Sequence, residues 1–210
     1  MQPRLHVIVC STRAGRVGIS VARWFHGFAQ QYGKFEVESA DLTSFSLPVY
    51  DEPVHPARQD YRHEHTERWS AGVAAADAYI FAMPEYGYSP PPSLVNALDC
   101  VCREWNYKPC GFVSYGGVSG GLRAAQAVKM QVTTLKMMQM VEGATVPMVA
   151  GHVNGEGRFQ FNAFWMNCCA GPLPQGHGRA CHRLRRFTGM RKGCAGFAPG
   201  AHRRRRPWLR

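Results

Sequence analysis

Acidic side chains all but vanish from the last 60 residues of this 210-residue chain, where Glu156 stands alone against 12 Lys and Arg. Residues 1–150 hold 13 basic and 13 acidic side chains, so the net charge of +11 belongs to the tail and the body is neutral. Overall basicity is therefore no argument that the body binds nucleic acid specifically. Long apolar runs are also missing. Nothing approaches the ~20 residues that span a bilayer, and the amino terminus enters a strand-like run, Leu5–Cys10, too short for a signal peptide. The body is expected to be cytoplasmic, with no membrane partner.

Cytosolic thiols stay reduced, so the eight cysteines are not read as disulfides. Cys10, Cys100, Cys102 and Cys110 are expected to be small buried residues. No C-x₂₋₄-C pair accompanies Cys168, Cys169, Cys181 or Cys194 in the tail, which removes the usual zinc signature. His55, His63 and His65 have polar flanks, and helical spacing puts His63 and His65 on different faces, so solvated histidines are expected rather than a metal site. Two phosphate fingerprints are absent as well: G-x-G-x-x-G and G-x₄-G-K-[ST].

What is present is an alternation of strands and helices. Strand patterns cover Val7–Cys10, Phe35–Ala40, Ala78–Met83 (ended by Pro84), Cys110–Ser114 and Ala144–Val149. Helical spacing covers Gly18–Gly33, Gln59–Asp77, Pro92–Cys102 and Gly120–Met140, and Asp41–Pro56 reads as a long loop. In the second helix Tyr61, His65, Trp69, Val73 and Ala76 form the inward stripe. Such alternation implies an α/β three-layer sandwich around a five-stranded parallel sheet. Dinucleotide-binding and flavodoxin-like versions both fit, and the loops decide between them.

Three loops leave the carboxyl edge of that sheet, where ligands bind. Ser11–Gly18 offers two hydroxyls, Arg13, Arg16 and free amides at a helix amino terminus, a combination suited to one terminal phosphate. Pro84–Pro92 is stiffened by proline at both ends, so Tyr86 and Tyr88 can address a planar ring with little left to freeze. Ser114–Gly121 packs four glycines and two serines into eight residues and brings backbone N–H groups close to a ligand. Glu85, one residue past a strand, reads as a cap or an ion-pair partner rather than a catalytic acid.

Three motifs make a resemblance specific: S-T-R-x-G-R from Ser11, P-E-Y-x-x-S-x-P-x-x-L-x-N-A-L-D from Pro84, and K-P-x-x-x-V-S-Y-G-G-x-S-G-G-x-R-A from Lys108. Over residues 4–150 the chain resembles the NADPH-dependent FMN reductase family, of flavodoxin-like fold and strand order 2-1-3-4-5. The resemblance implies that Ser11, Arg13, Arg16 and Val17, with Gly15 in the same loop, hold the phosphate of FMN. Pro84, Glu85, Tyr86, Gly87 and Tyr88 would line the isoalloxazine. Ser114, Tyr115, Gly116 and Gly117 would meet its pyrimidine edge, with Ser119 and Gly120 bordering the pocket. The chain departs from the family at Cys10 (commonly Gly), Gly87 (Asn) and Val95 (Lys).

The resemblance further implies hydride transfer from NADPH or NADH through FMN to a small acceptor, by a ping-pong cycle with no catalytic side chain. It also implies a homodimer or a dimer of dimers, with the helix after the second loop, Trp105 and the Asp41–Pro56 loop at the interface. Rival readings are a quinone, azo-dye or metal-ion reductase on the same fold, and a flavodoxin-type electron carrier, against which Arg13, Arg16 and the neutral body argue. The body is taken as residues 1–150, an FMN-binding domain, followed by an irregular basic tail over 151–210. After about Phe164 periodic hydrophobicity ends, and the tail reads as out of frame from about residue 165. An amphipathic helix in another frame of the coding DNA is the expected sign of this, and its absence from both would contradict it. On that reading Arg183, Arg185, Arg186 and Arg203–Arg206 bind nucleic acid only non-specifically.

Overall fold

Burial on both faces sets the character of the central strands. In the structure, a computed structural model that describes residues 2–160, strands β1 (Arg4–Val9), β3 (Ala78–Pro84) and β4 (Pro109–Tyr115) are mostly apolar and almost wholly buried. Runs of this kind are what a parallel sheet covered by helices requires. β2 (Glu36–Asp41) lies at one edge; at the other, β5 (Met138–Gln139) and β6 (Ala144–Val146) both pair with β4. Every pairing of these strands is parallel and the order β2-β1-β3-β4-β5 is the expected one, but the sheet has six strands: the strand expected over Ala144–Val149 is the shorter β6, and β5 forms within the stretch expected to be helical.

Helices α3 (Glu64–Ala75), α4 (Pro92–Cys100) and α5 (Leu122–Thr134) cover one face, and α1 (Gly18–Tyr32) covers the other. The first core centres on Trp69, Trp105, Tyr79 and Phe81; Trp105 meets Tyr79 edge-on at 4.8 Å and Trp69 at 5.8 Å. Trp105 is fully buried, so it is core and not the interface residue expected. The second core lies under α1, and the chain continues to pack there past residue 150: the Phe159 ring sits 5.5 Å from Trp24. The remaining tail, with Cys168, Cys169, Cys181, Cys194 and its arginines, lies outside the described residues.

Three of the differences from expectation have clear local reasons. The helix expected to reach Met140 stops at Thr134, because Lys136 turns left-handed (φ +56°). Its N–H donates to Thr133 O (2.9 Å) and that of Met137 to Val132 O (3.0 Å), a Schellman closure. Buried Met137 and Val132 complete that motif's apolar contact. The Asp41–Pro56 segment contains a short helix, α2 (Leu42–Phe45), because the Asp41 carboxylate accepts from Thr43 N–H at 3.0 Å and Phe45 packs edge-on against Trp69. The helix expected from Gln59 starts at Glu64, since Gln59 is itself left-handed (φ +56°) and closes a 3₁₀ turn over Pro56–Arg58. No helix among the described residues is long and apolar enough to cross a membrane.

Candidate functional site

The three loops meet at the carboxyl ends of β1, β3 and β4, and side chains join them. Ser11 Oγ, almost fully buried, lies 2.6 Å from the Tyr86 hydroxyl and links the first loop to the second. Ser93 at the start of α4 donates to Cys10 O at 2.5 Å. Tyr115 turns its ring under the first loop, where its hydroxyl leaves no room for a Cβ at Gly18. Burial pushes the Tyr115 phenol well above its ordinary pKa, so it stays protonated. Its backbone O accepts from Glu85 N–H at 3.0 Å, which ties β4 to the start of the second loop.

In the first loop, among the described residues, none of the N–H groups of residues 12–19 donates to another residue. Val17 N-caps α1 without a side-chain bond, so the positive end of that helix opens onto the loop. Arg16 pairs with Asp41 at 2.6 Å, and its buried Nε has no partner among the described residues. Arg13 is exposed. The loop thus gathers unused donors and no carboxylate except Asp41, a donor set that fits a phosphate.

The second loop is a hairpin-like turn. Tyr86 and Ser89 exchange backbone hydrogen bonds (3.0 and 2.9 Å), while Gly87 (φ +55°) and Tyr88 (φ +66°) take the two left-handed positions of a type I′ turn. Gly87 therefore stands where the backbone, rather than a side chain, sets the requirement; Asn, the family's residue, is the next best at such a φ. Tyr86 is 37% and Tyr88 69% exposed, two rings available at the edge.

The serine–glycine loop turns its carbonyls inward. Gly117 O accepts from Gly120 N–H (3.1 Å) and Met148 N–H (2.8 Å), and Gly116 O from Val149 N–H (3.0 Å). The N–H groups of Gly117, Val118 and Ser119 donate to no other described residue, a backbone concavity of the kind that accepts anionic or carbonyl oxygens. Ser114 donates its hydroxyl to Gly120 O at 3.0 Å, so it braces the loop from below.

Glu85 is both the cap and the ion-pair partner that its position suggested. Its carboxylate accepts from Ser119 Oγ (2.9 Å), Arg123 Nε (2.9 Å) and Arg123 N–H (3.2 Å), and pairs with the Arg123 guanidinium at 2.7 Å. Burial alone would raise its pKa; donors from Arg123, Ser119 and the α5 amino terminus outweigh this and hold it below the ordinary carboxylate value. It is ionised at neutral pH and has no proton to give. Arg123 in turn lies 3.6 Å above the Tyr88 ring.

Neither Arg123 nor Asp41 was singled out from the sequence, and Asp41 carries no signal there, being one acid in a polar loop. The histidines correct another expectation. His63 precedes α3 as its N-cap, so the helical geometry that would separate it from His65 does not apply. The two rings stack at 5.2 Å beside Asp51, which His65 meets at 3.1 Å. Among the described residues no group of three His, Cys, Asp or Glu is placed to hold a metal ion.

A parallel 2-1-3-4-5 sheet with three loops gathered at its carboxyl edge defines the flavodoxin-like class. The FerB flavoenzyme NAD(P)H:(acceptor) oxidoreductase of Paracoccus denitrificans has the same fold (TM-score 0.62, 21% identity, 79% of this chain and 92% of that one). Residues 3–150 match the NADPH-dependent FMN reductase family, and the chain belongs to it. An NAD(P)H-dependent FMN reductase of Schizosaccharomyces pombe is 36% identical over 161 residues, 70% of this chain and 80% of its own length. A quinone reductase of Pseudomonas putida is 35% identical over 104 residues, 46% of this chain and 54% of its own. The protein is accordingly an oxidoreductase of the NAD(P)H-dependent, FMN-using kind.

Proposed function

We propose that the chain holds FMN across its three loops and passes reducing equivalents from NAD(P)H to a small planar acceptor in a ping-pong cycle. The observation that carries this is the set of unused N–H groups over residues 12–19, beside Arg13 and Arg16 at the open end of α1. These residues would hold the phosphate, with Asp41 steering Arg16. Gly87 and Tyr88 would face the isoalloxazine from the turn, and the amides of Gly117–Ser119 its pyrimidine edge. FMN, when bound, supplies the hydride chemistry, and the protein's part is to bind, orient and leave one ring face open.

No side chain needs to shuttle a proton: Glu85 is ionised and engaged, and Tyr86 is bonded to Ser11. The test is whether purified protein takes up FMN and then oxidises NADPH. Protein that remains colourless with added FMN would overturn the reading, and protein that binds FMN but does not oxidise NADPH would be an electron carrier instead.

The acceptor is a quinone as readily as a free flavin, since exposed Tyr86 and Tyr88 offer any flat ring a stacking surface; kcat/KM across a flavin, quinone and azo-dye panel ranks them. A second copy of the chain would dock along α4, where Asn96 braces the backbone of Pro48 and Tyr50 beside Val49, which is 88% exposed. Light scattering on the purified protein tests that dimer. The unpaired thiols of Cys10, Cys100, Cys102 and Cys110 suit a reducing cytoplasm.

A further inference from the structure

Glu85 was a candidate flavin ligand, but its bonding leaves it little to offer a flavin. An ionised carboxylate has about four lone-pair sites. In Glu85 three donors crowd onto Oε1, the Ser119 hydroxyl, Arg123 Nε and the second guanidinium nitrogen, while Oε2 faces the α5 amino terminus and accepts from Arg123 N–H. The side chain is only 7% exposed, so water does not compete for it. A ligand N–H would have to displace a charge-assisted bond to reach Oε1, and Oε2 is turned to the α5 amino terminus.

What those bonds join is more informative. Gly121, the N-cap of α5, has no side chain to cap with, and Glu85 supplies the missing acceptor from the far side of the site. Ser119 belongs to the serine–glycine loop and accepts from Gly121 N–H at 3.3 Å, so Glu85 fixes the hydroxyl that in turn fixes the loop's exit. Arg123, anchored by Glu85, covers the ring of Tyr88, an exposed residue at φ +66° in the 86–89 turn. One carboxylate therefore sets the spacing between the 86–89 turn and the amides of 117–119.

We propose that Glu85 is a positioning residue for the flavin: it holds the two ring-side loops at their working separation and does not itself contact the cofactor. This rests on the FMN reading above. Its effect falls on the ring and not on the phosphate, because the first loop is tied to the second through Ser11 and Tyr86 rather than through Glu85. Loops held in place before binding leave less freedom to be lost on binding.

The experiment measures FMN and riboflavin dissociation constants by flavin fluorescence quenching, in the full chain, for wild type, Glu85→Gln, Ser119→Ala, the double variant and Arg13→Ala. Glu85→Gln is expected to weaken both flavins by about the same factor, roughly tenfold for one charge-assisted bond lost. The visible circular dichroism of the bound flavin at saturation should change with it. Ser119→Ala should weaken both about threefold, and the double variant by no more than Glu85→Gln alone, since the two share one bond. Arg13→Ala should weaken FMN and leave riboflavin unchanged.

Wild-type affinity for both flavins in Glu85→Gln overturns the proposal, as does a loss confined to FMN. If Glu85→Gln does not fold, Ser119→Ala decides: a parallel loss on both flavins supports the role, and unchanged affinity overturns it. Wild type that takes up neither flavin is a different failure, one that removes the functional reading and this role with it.

Discussion

Gly117 and Gly121 stand four residues apart in the serine–glycine loop, and alanine at each should report on a different thing. At Gly121 the backbone is left-handed (φ +81°), and a Cβ would lie 2.7 Å from Tyr115 N, 2.8 Å from Ser114 Cβ and 2.9 Å from Tyr115 O. Two of those atoms are backbone at the end of β4, so nothing flexible can move aside. The left-handed conformation costs alanine about 1–2 kcal/mol, and forcing a methyl into packed backbone about 1–3 more. A loss of roughly 2–4 kcal/mol is a large part of a typical domain's stability, and should lower Tm by on the order of 10 °C.

At Gly117 a Cβ would have nothing within 4 Å and meets no left-handed strain. Stability should then stay within about 0.5 kcal/mol of wild type. On the proposed reading the methyl adds bulk at the first of the unused amides, so FMN affinity should fall by roughly tenfold or more, while Gly121→Ala loses stability first. Urea unfolding and FMN titration of both variants make the assay. Equal stability losses at the two glycines, or full FMN affinity in Gly117→Ala, would refute the division of this loop into floor and ligand edge.

Glu104 accepts from Gln59, Tyr61, Ser70 and Cys102 N–H while nearly buried, so Glu104→Gln should cost about 1.5–3 kcal/mol in urea unfolding. Burial raises its pKa, but bonds from Gln59, Ser70 and Tyr61 outweigh this and leave it depressed in the folded state. Its stabilisation is therefore complete above the unfolded value of about 4.3 and lost as pH falls through the lower folded value; the acid limb of a stability–pH curve should flatten in the variant. Lys136→Gly relieves a left-handed C′ position and should raise stability by about 1 kcal/mol, read as a higher urea midpoint. Gly87→Asn keeps a left-handed residue in the turn and meets open space, so stability should change by less than about 0.5 kcal/mol and FMN affinity should not fall, both read by the same two titrations.

The parts legible in the sequence are those in which local chemistry and tertiary structure agree. Ala78–Met83 reads as a central strand because burial on both faces leaves no polar position, and Gly33 marks the end of α1 because it is glycine that most readily takes the left-handed cap there. The loop motifs are legible for the same reason: glycine stands where the backbone turns left-handed or lies against its neighbours, as Gly87 and Gly121 do. The stop at Thr134 was hidden because lysine, a good helix former, fills the left-handed position normally signalled by glycine.

Trp105 was misplaced because a lone aromatic in a loop has no period to show which way it faces, and only the packing of Tyr79 and Trp69 decides. Arg16 with Asp41, and Glu85 with Arg123, join residues 25 and 38 positions apart, and no local spacing can encode such pairs. The meeting of the three loops at one sheet edge was therefore readable, and the bonds that hold them in register were not.

The central claim is that this sheet edge holds FMN and exchanges one redox partner for another at an open ring face. Anaerobic addition of one equivalent of NADPH to FMN-loaded protein, with no acceptor present, tests it most directly. The account predicts loss of the oxidised-flavin colour, release of NADP⁺ before any acceptor is added, and return of the colour when a quinone or free flavin follows. Protein that binds no FMN, or that is bleached only when donor and acceptor are present together, would contradict it.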